Sequence, residues 1–373
     1  MTVVFYISGH GFGHASREVE ILNALGALNP SLRFLIRSAV SPELLARTIK
    51  VPYTLLPGPC DSGIVQSTSV THDDDASVRE AASFYSTFAD RVTSEATSLS
   101  PVNVRLIVAD IPPLAFEVAA RLGVPSVAIG NFAWDWIYET QRGFDAIDGL
   151  LPLIRDAYRK ATLALELPFA GGFEIFPVVE RLPLVARRPT RNRADTRAWF
   201  GVPADRPAAL LSFGGYGMPS LALSTLDCLD GWTIVTTDRI TTNARATRPA
   251  GVVLLAEGAF LTGGFRYEDL VAASDLVVTK PGYGIIAECI AASTAMLYTS
   301  RGQFREYDRL VAEMPKFLRC RFISHEDLFA GRWRAALDAL IAQPAPPSTL
   351  PANGAEVAAR RIAEMLGQGP ARG

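Results

Sequence analysis

Cysteine and histidine are both scarce in this chain, four of each in 373 residues. Cys60, Cys228, Cys289 and Cys320 are scattered without a CxxC pair. That spacing excludes a zinc knuckle and a disulfide framework and predicts a reduced, cytoplasmic protein. No run of about 18 apolar residues is present to span a bilayer. The first apolar run, 3–8, is too short for a signal peptide and no basic region precedes it. Neither charge is in excess: 36 basic residues stand against 38 acidic, for a formal charge of −2. A general nucleic-acid binder needs a concentrated basic face, so that class is set aside.

Hydrophobic residues make up 49% of the chain, enough for the cores of two domains. Apolar runs alternate with segments of helical periodicity. Val3–Ser8 reads as a strand, 15–28 as a helix, Arg33–Arg37 as a strand and Pro42–Ile49 as a helix. "VRLIVADIPP" is a buried strand ending at Asp110, and "VPSVAIGNF" a strand ending near Asn131. The polar stretch 58–75 reads as a surface excursion and 77–99 as one long helix. The pattern restarts at "AALLSFGGYG". The expected architecture is α/β, two Rossmann-like halves facing a cleft. The expected domains are 1–185 and 186–350, with 351–373 a terminal helix packing back across them. The proline- and arginine-rich stretch 176–197 is the linker candidate.

Half of the histidines lie in GHGFGH, 9–14, directly after the first strand. A glycine turn between strand and helix brings backbone amides close to a ligand, at the positive end of the helix dipole. Gly11 and Gly13 do this in the first half. Gly214, Gly215 and Gly217 of FGGYG, and Lys280, Gly282 and Gly284 of KPGYG, do it in the second. None of the three loops carries a dinucleotide fingerprint or the P-loop spacing. His10 and His14 have no obvious third partner for a metal, so no metal site is assigned. A histidine at a strand–helix junction suits general-base work near neutral pH.

These motifs, in this order, resemble a GT-B fold glycosyltransferase over both halves. GHGFGHASR resembles the opening of the glycosyltransferase-like half of L-arabinokinase, and more distantly that of MurG-type transferases. "NFAWDWIY", 131–138, and "SDLVVTKPGYGIIAECIA", 274–291, match two further segments of the arabinokinase-like group. The sugar-kinase half is absent, so kinase activity is not carried over. The resemblance implies an acceptor in the first domain and a nucleotide-sugar donor in the second, the NDP-sugar serving as co-substrate with no permanent cofactor. It implies that Glu288 meets the ribose hydroxyls. In "GQFREYDRL" it points to Glu306 for the sugar hydroxyls, while Arg301 or Arg305 meets a phosphate. The familiar aspartate–glutamine pair is missing there.

Glycosyl transfer needs a base for the acceptor hydroxyl and stabilisation of the departing diphosphate. His14, Asp110 and Asp135 are the candidate bases, in that order. No DxD motif stands in a donor strand, so the reaction is expected to be metal-independent, and a single direct attack inverts the anomeric centre. The acceptor is expected to be a small molecule of natural-product type, the donor base uracil or guanine, and the protein a monomer or homodimer. A nucleotide-sugar epimerase and a non-catalytic nucleotide-sugar-binding protein stay open as alternatives.

Overall fold

The structure is a computed structural model that describes residues 1–10, 12–68, 71–214, 221, 226, 230–237, 250–260 and 263–367. Gly11, Gly215 and Gly217 lie outside the described residues. Two parallel sheets organise the chain. The first holds β1 (Thr2–Ile7), β2 (Arg33–Ser38), β3 (Tyr53–Pro57), β4 (Val104–Asp110), β5 (Ser126–Phe132), β6 (Leu163–Gly171) and β7 (Val179–Arg181). Its spatial order is β3-β2-β1-β4-β5-β6-β7. The second holds β8 (Ala208–Ser212), β9 (Thr233–Thr237), β10 (Val252–Leu255), β11 (Leu276–Thr279), β12 (Ala295–Tyr298) and β13 (Cys320–Phe322), in the order β10-β9-β8-β11-β12-β13. Every residue of β1 and β5 is buried, as expected of parallel strands covered on both faces.

In each sheet the strand order reverses beside the first strand. The reversal opens a crevice at the carboxyl ends of β1 and β4, and of β8 and β11, where α/β sheets take ligands. Ile7 stands opposite Asp110 and Ser212 opposite Thr279. GHGFGH and Asp110 therefore share one crevice, and Gly214 and Lys280 share the other.

The two units are packed together. One hydrophobic cluster runs from Val3 and Leu25 through Leu184 and Tyr283 to Leu210 and Ile362. The last helix, Gly354–Gly367, returns to the helix Phe12–Leu28. It is also tied to β7 and the segment after it, by a bidentate Arg361–Glu180 pair and by Gly354 N–H to Leu184 O at 3.0 Å.

Two expectations change. The segment 77–99 is two helices, Asp74–Ser86 and Phe88–Leu99. The break falls at Thr87 (φ −108°, ψ 16°), whose hydroxyl accepts from Arg91 at 3.0 Å. The start of the 58–75 excursion is interior rather than surface: Cys60, Asp61, Ser62 and Ile64 are all buried. Their polar groups are met inside. Cys60 Sγ–H donates to Ile7 O, Trp134 Nε1–H donates to Asp61, and Ser62 shares a hydrogen bond with Tyr138.

Candidate active site

The helix Phe12–Leu28 places His14 in its first turn and Arg17 three residues later on the same face. Both reach Asp110 at the end of β4. His14 Nδ1 lies 2.7 Å from Asp110 Oδ2, and the Arg17 guanidinium donates to Asp110 Oδ1. A carboxylate only accepts, so the bond to Asp110 puts a proton on Nδ1, and Arg17 Nη2 stands 3.1 Å from the same nitrogen. Asp110 has no solvent exposure. Burial pushes its carboxyl up, but the charges of Arg17 and His14 outweigh that and hold it below the ordinary aspartate range. Ile111, the next residue, is fully buried at φ 55°. A β-branched residue there is strained by about 1–3 kcal/mol, a common mark of functional sites.

From this dyad a chain of hydrogen bonds crosses to the second domain. Arg17 Nη1–H donates to Asn131 Oδ1 at 2.7 Å, Asn131 Nδ2–H to Glu306 Oε1 at 2.8 Å, and Arg301 Nη1–H to Glu306 Oε2 at 2.7 Å. Asn131 ends β5, while Arg301 and Glu306 follow β12. Thus His14, Asp110, Arg301 and Glu306 form one connected array. Arg17 and Asn131 are links that reading by residue type alone does not find. Both sat within quoted motifs, and the signal was the i, i+3 spacing of His14 and Arg17.

A second histidine–aspartate contact flanks the first. His10 Nε2 is 3.6 Å from Asp61 Oδ1, and Trp134 lies between the pairs. The indole stacks on His14 and meets His10 edge-on, with centroids 6.2 Å away in both cases. Gly63 (φ +57°) makes room for His10: a Cβ there would stand 2.1 Å from the ring.

Asp135 is set apart from this array. Arg155 Nε–H donates to its Oδ2 at 3.0 Å, bracing one short helix against the next, and burial pushes its carboxyl up. No described residue hydrogen-bonds its Oδ1. Trp134 is buried, stacked on Tyr138, with its face unavailable to a ligand.

In the second domain, the backbone of Gly284 approaches that of Gly13 across the interface: a Cβ on Gly284 would stand 3.8 Å from Gly13 Cα. Gly282 precedes the helix Tyr283–Ala292 as its cap. Arg17 lies over the Tyr283 ring at 5.5 Å. Glu288 borders the same narrow crevice with Gly13, Ser16, Arg17 and Gly284. It is buried and accepts from Arg187 at 2.7 Å, while its Oε2 has no hydrogen-bond partner. Arg305 is engaged elsewhere, donating to Trp136 O at 2.6 Å and lying 4.5 Å over that indole. Lys280 is held down to about 7 by burial and by the charge of Arg301. Among the described residues, no group of three or more His, Cys, Asp or Glu side chains could hold a metal ion. No helix among them is long and apolar enough to cross a membrane.

No family profile matches the chain. It is 26% identical over 377 residues to L-arabinokinase of Arabidopsis thaliana, covering 98% of this chain but only about a third, 34%, of that protein's length. Among solved structures, the calicheamicin glycosyltransferase CalG4 superposes with a TM-score of 0.62 at 16% identity, over 99% of this chain and 96% of that one. UDP-bound UGT89C1 of Arabidopsis thaliana does so with a TM-score of 0.59 at 13% identity, over 100% and 96%. With two Rossmann-like units facing one crevice, this chain has the GT-B fold.

Proposed function

We propose that the chain is a nucleotide-sugar-dependent glycosyltransferase that inverts the anomeric centre without a metal. The observation that carries this reading is the His14–Asp110 hydrogen bond at the crevice of the first sheet, joined through Arg17 and Asn131 to Glu306 and Arg301 of the second. The L-arabinokinase likeness and the UDP-bound neighbour point the same way. The first domain, 1–185, takes a small-molecule acceptor. The second, 186–350, takes the NDP-sugar.

His14 Nε2 accepts the proton of an acceptor hydroxyl while Nδ1–H donates to Asp110. The acceptor oxygen attacks the anomeric carbon from the face opposite the diphosphate. The bond from that carbon to the diphosphate oxygen breaks, and its electron pair leaves with the diphosphate. Lys280, Arg301 and the amides at the start of the Tyr283–Ala292 helix meet the growing negative charge. Asp110 keeps its charge and stabilises the imidazolium. Glu306, fixed by Asn131 and Arg301, faces the sugar hydroxyls, and Glu288 Oε2 is the free acceptor for the ribose.

Calorimetry with UDP, GDP, TDP and CDP identifies the donor nucleotide, and release of that diphosphate from its nucleotide sugars measures turnover. His14→Gln is expected to bind the nucleotide with turnover lost. No binding of any of the four overturns the proposal. Interconversion of the sugar without an acceptor favours an epimerase.

A further inference from the structure

His72 belongs to the first domain but sits on a residue of the second. It pairs with Gln66 in an antiparallel bridge, flanked by Ser67 N–H to Thr71 O at 3.0 Å and Asp73 N–H to Val65 O at 2.9 Å. Asp73 then caps the next helix, accepting from Ala76 N–H at 2.8 Å. The backbone of His72 is thus fixed from both sides. Its ring lies 5.4 Å from the Phe304 ring, and the Arg301 guanidinium lies 4.5 Å over the same phenyl group.

Lys280 completes the cluster. The charges of Arg301 and Lys280 both bear on His72, and Asp74 opposes them from the helix behind it. Glu306 is the carboxylate that bears on Lys280, and both its oxygens are already committed to Asn131 and Arg301. The Arg301 Nε–H is buried without a partner. Arg301 and Lys280 therefore act together on His72 against the opposing charge of Asp74, while Glu306 is engaged by Asn131 and Arg301. Burial, then Arg301, then Lys280 hold His72 down to about 4, so its imidazole is neutral near pH 6. Such a cluster is stabilised by an anion carrying more than one charge.

We propose that His72 reaches across the cleft to the donor diphosphate, completes its cradle with Lys280 and Arg301, and takes up a proton from solvent as the anion arrives. The inference rests on reading the cleft as the donor site. It makes nucleotide binding and proton uptake a single event.

The test is calorimetry at pH 6 in two buffers of different ionisation enthalpy, with whichever of UDP, GDP or TDP binds, and with inorganic pyrophosphate. At that pH Lys280 is already about nine-tenths protonated, so its uptake is small. Wild type is expected to take up about one proton more than His72→Gln, the comparison cancelling protonation of the ligand itself. Affinity should fall about tenfold in His72→Gln. His72→Arg, charged throughout, should restore affinity without that uptake. Equal uptake and equal affinity in wild type and His72→Gln overturn this inference and leave the transferase reading standing. No nucleotide binding at all overturns the transferase reading first.

Discussion

Replacing Asp110 by asparagine removes one charge from a site with no solvent exposure. Two consequences follow, and they separate. The amide no longer holds His14 Nδ1 as a donor, since its NH2 can face the imidazole and favour the wrong tautomer. Turnover should fall about 10²- to 10⁴-fold, the scale of losing an oriented base. The Arg17 guanidinium, buried and otherwise held by Asn131, loses its counter-charge. Breaking a buried pair costs about 3–5 kcal/mol, visible as a lower denaturation midpoint. Arg17→Met in the same chain removes the stranded charge and should return at least about 2 kcal/mol of that loss, without returning turnover. The assays are diphosphate release from the donor sugar and urea unfolding, run on both single variants and the double variant as a cycle. Asp110→Asn with turnover within fivefold of wild type would refute the dyad. Additive stability effects of the two substitutions would refute the Arg17–Asp110 coupling.

Lys280 binds its proton less tightly in the folded chain, at about 7 against an ordinary 10.5. The unfolded chain therefore holds more protons between those values, and this residue makes stability rise with pH across that window. Lys280→Met should stabilise the ligand-free protein by roughly 5 kcal/mol at pH 6 and flatten that rise, while weakening nucleotide binding; unfolding midpoints at pH 6 and 9 check it. Glu288→Gln keeps the volume but removes the nearer of the two carboxylates on Arg187, Glu268 standing 3.4 Å away. It should lower stability by about 3 kcal/mol and weaken UDP or GDP binding, whereas Arg187→Met should restore stability alone. Gly63→Ala forces a Cβ into the His10 ring at positive φ. A stability loss of about 1–3 kcal/mol and a shifted His10 resonance in a four-histidine NMR spectrum are expected.

The repeated strand–glycine–helix rhythm was legible because period-2 and period-3.6 patterns are local, and two copies of one unit can bury their faces only as two sheets. Asp110 and Lys280 were legible as candidates because they stand at the end of a strand, and His14 and Glu306 because they open a helix that follows one, where a parallel sheet opens. Their partners were not. Whether Asp110 or Asp135 serves His14 depends on β4 lying beside β1 while the helix of Asp135 turns toward Arg155. That is a matter of strand order, which local pattern does not carry. His72 carries no signal in the sequence for a related reason: its surroundings are Phe304, Arg301 and Lys280, each more than 200 positions away along the chain. The residue types of the site were written in the sequence itself. Their pairing, burial and charge balance were decided only when two domains closed on one crevice, because electrostatics depends on distance and dielectric, and folding alone sets both.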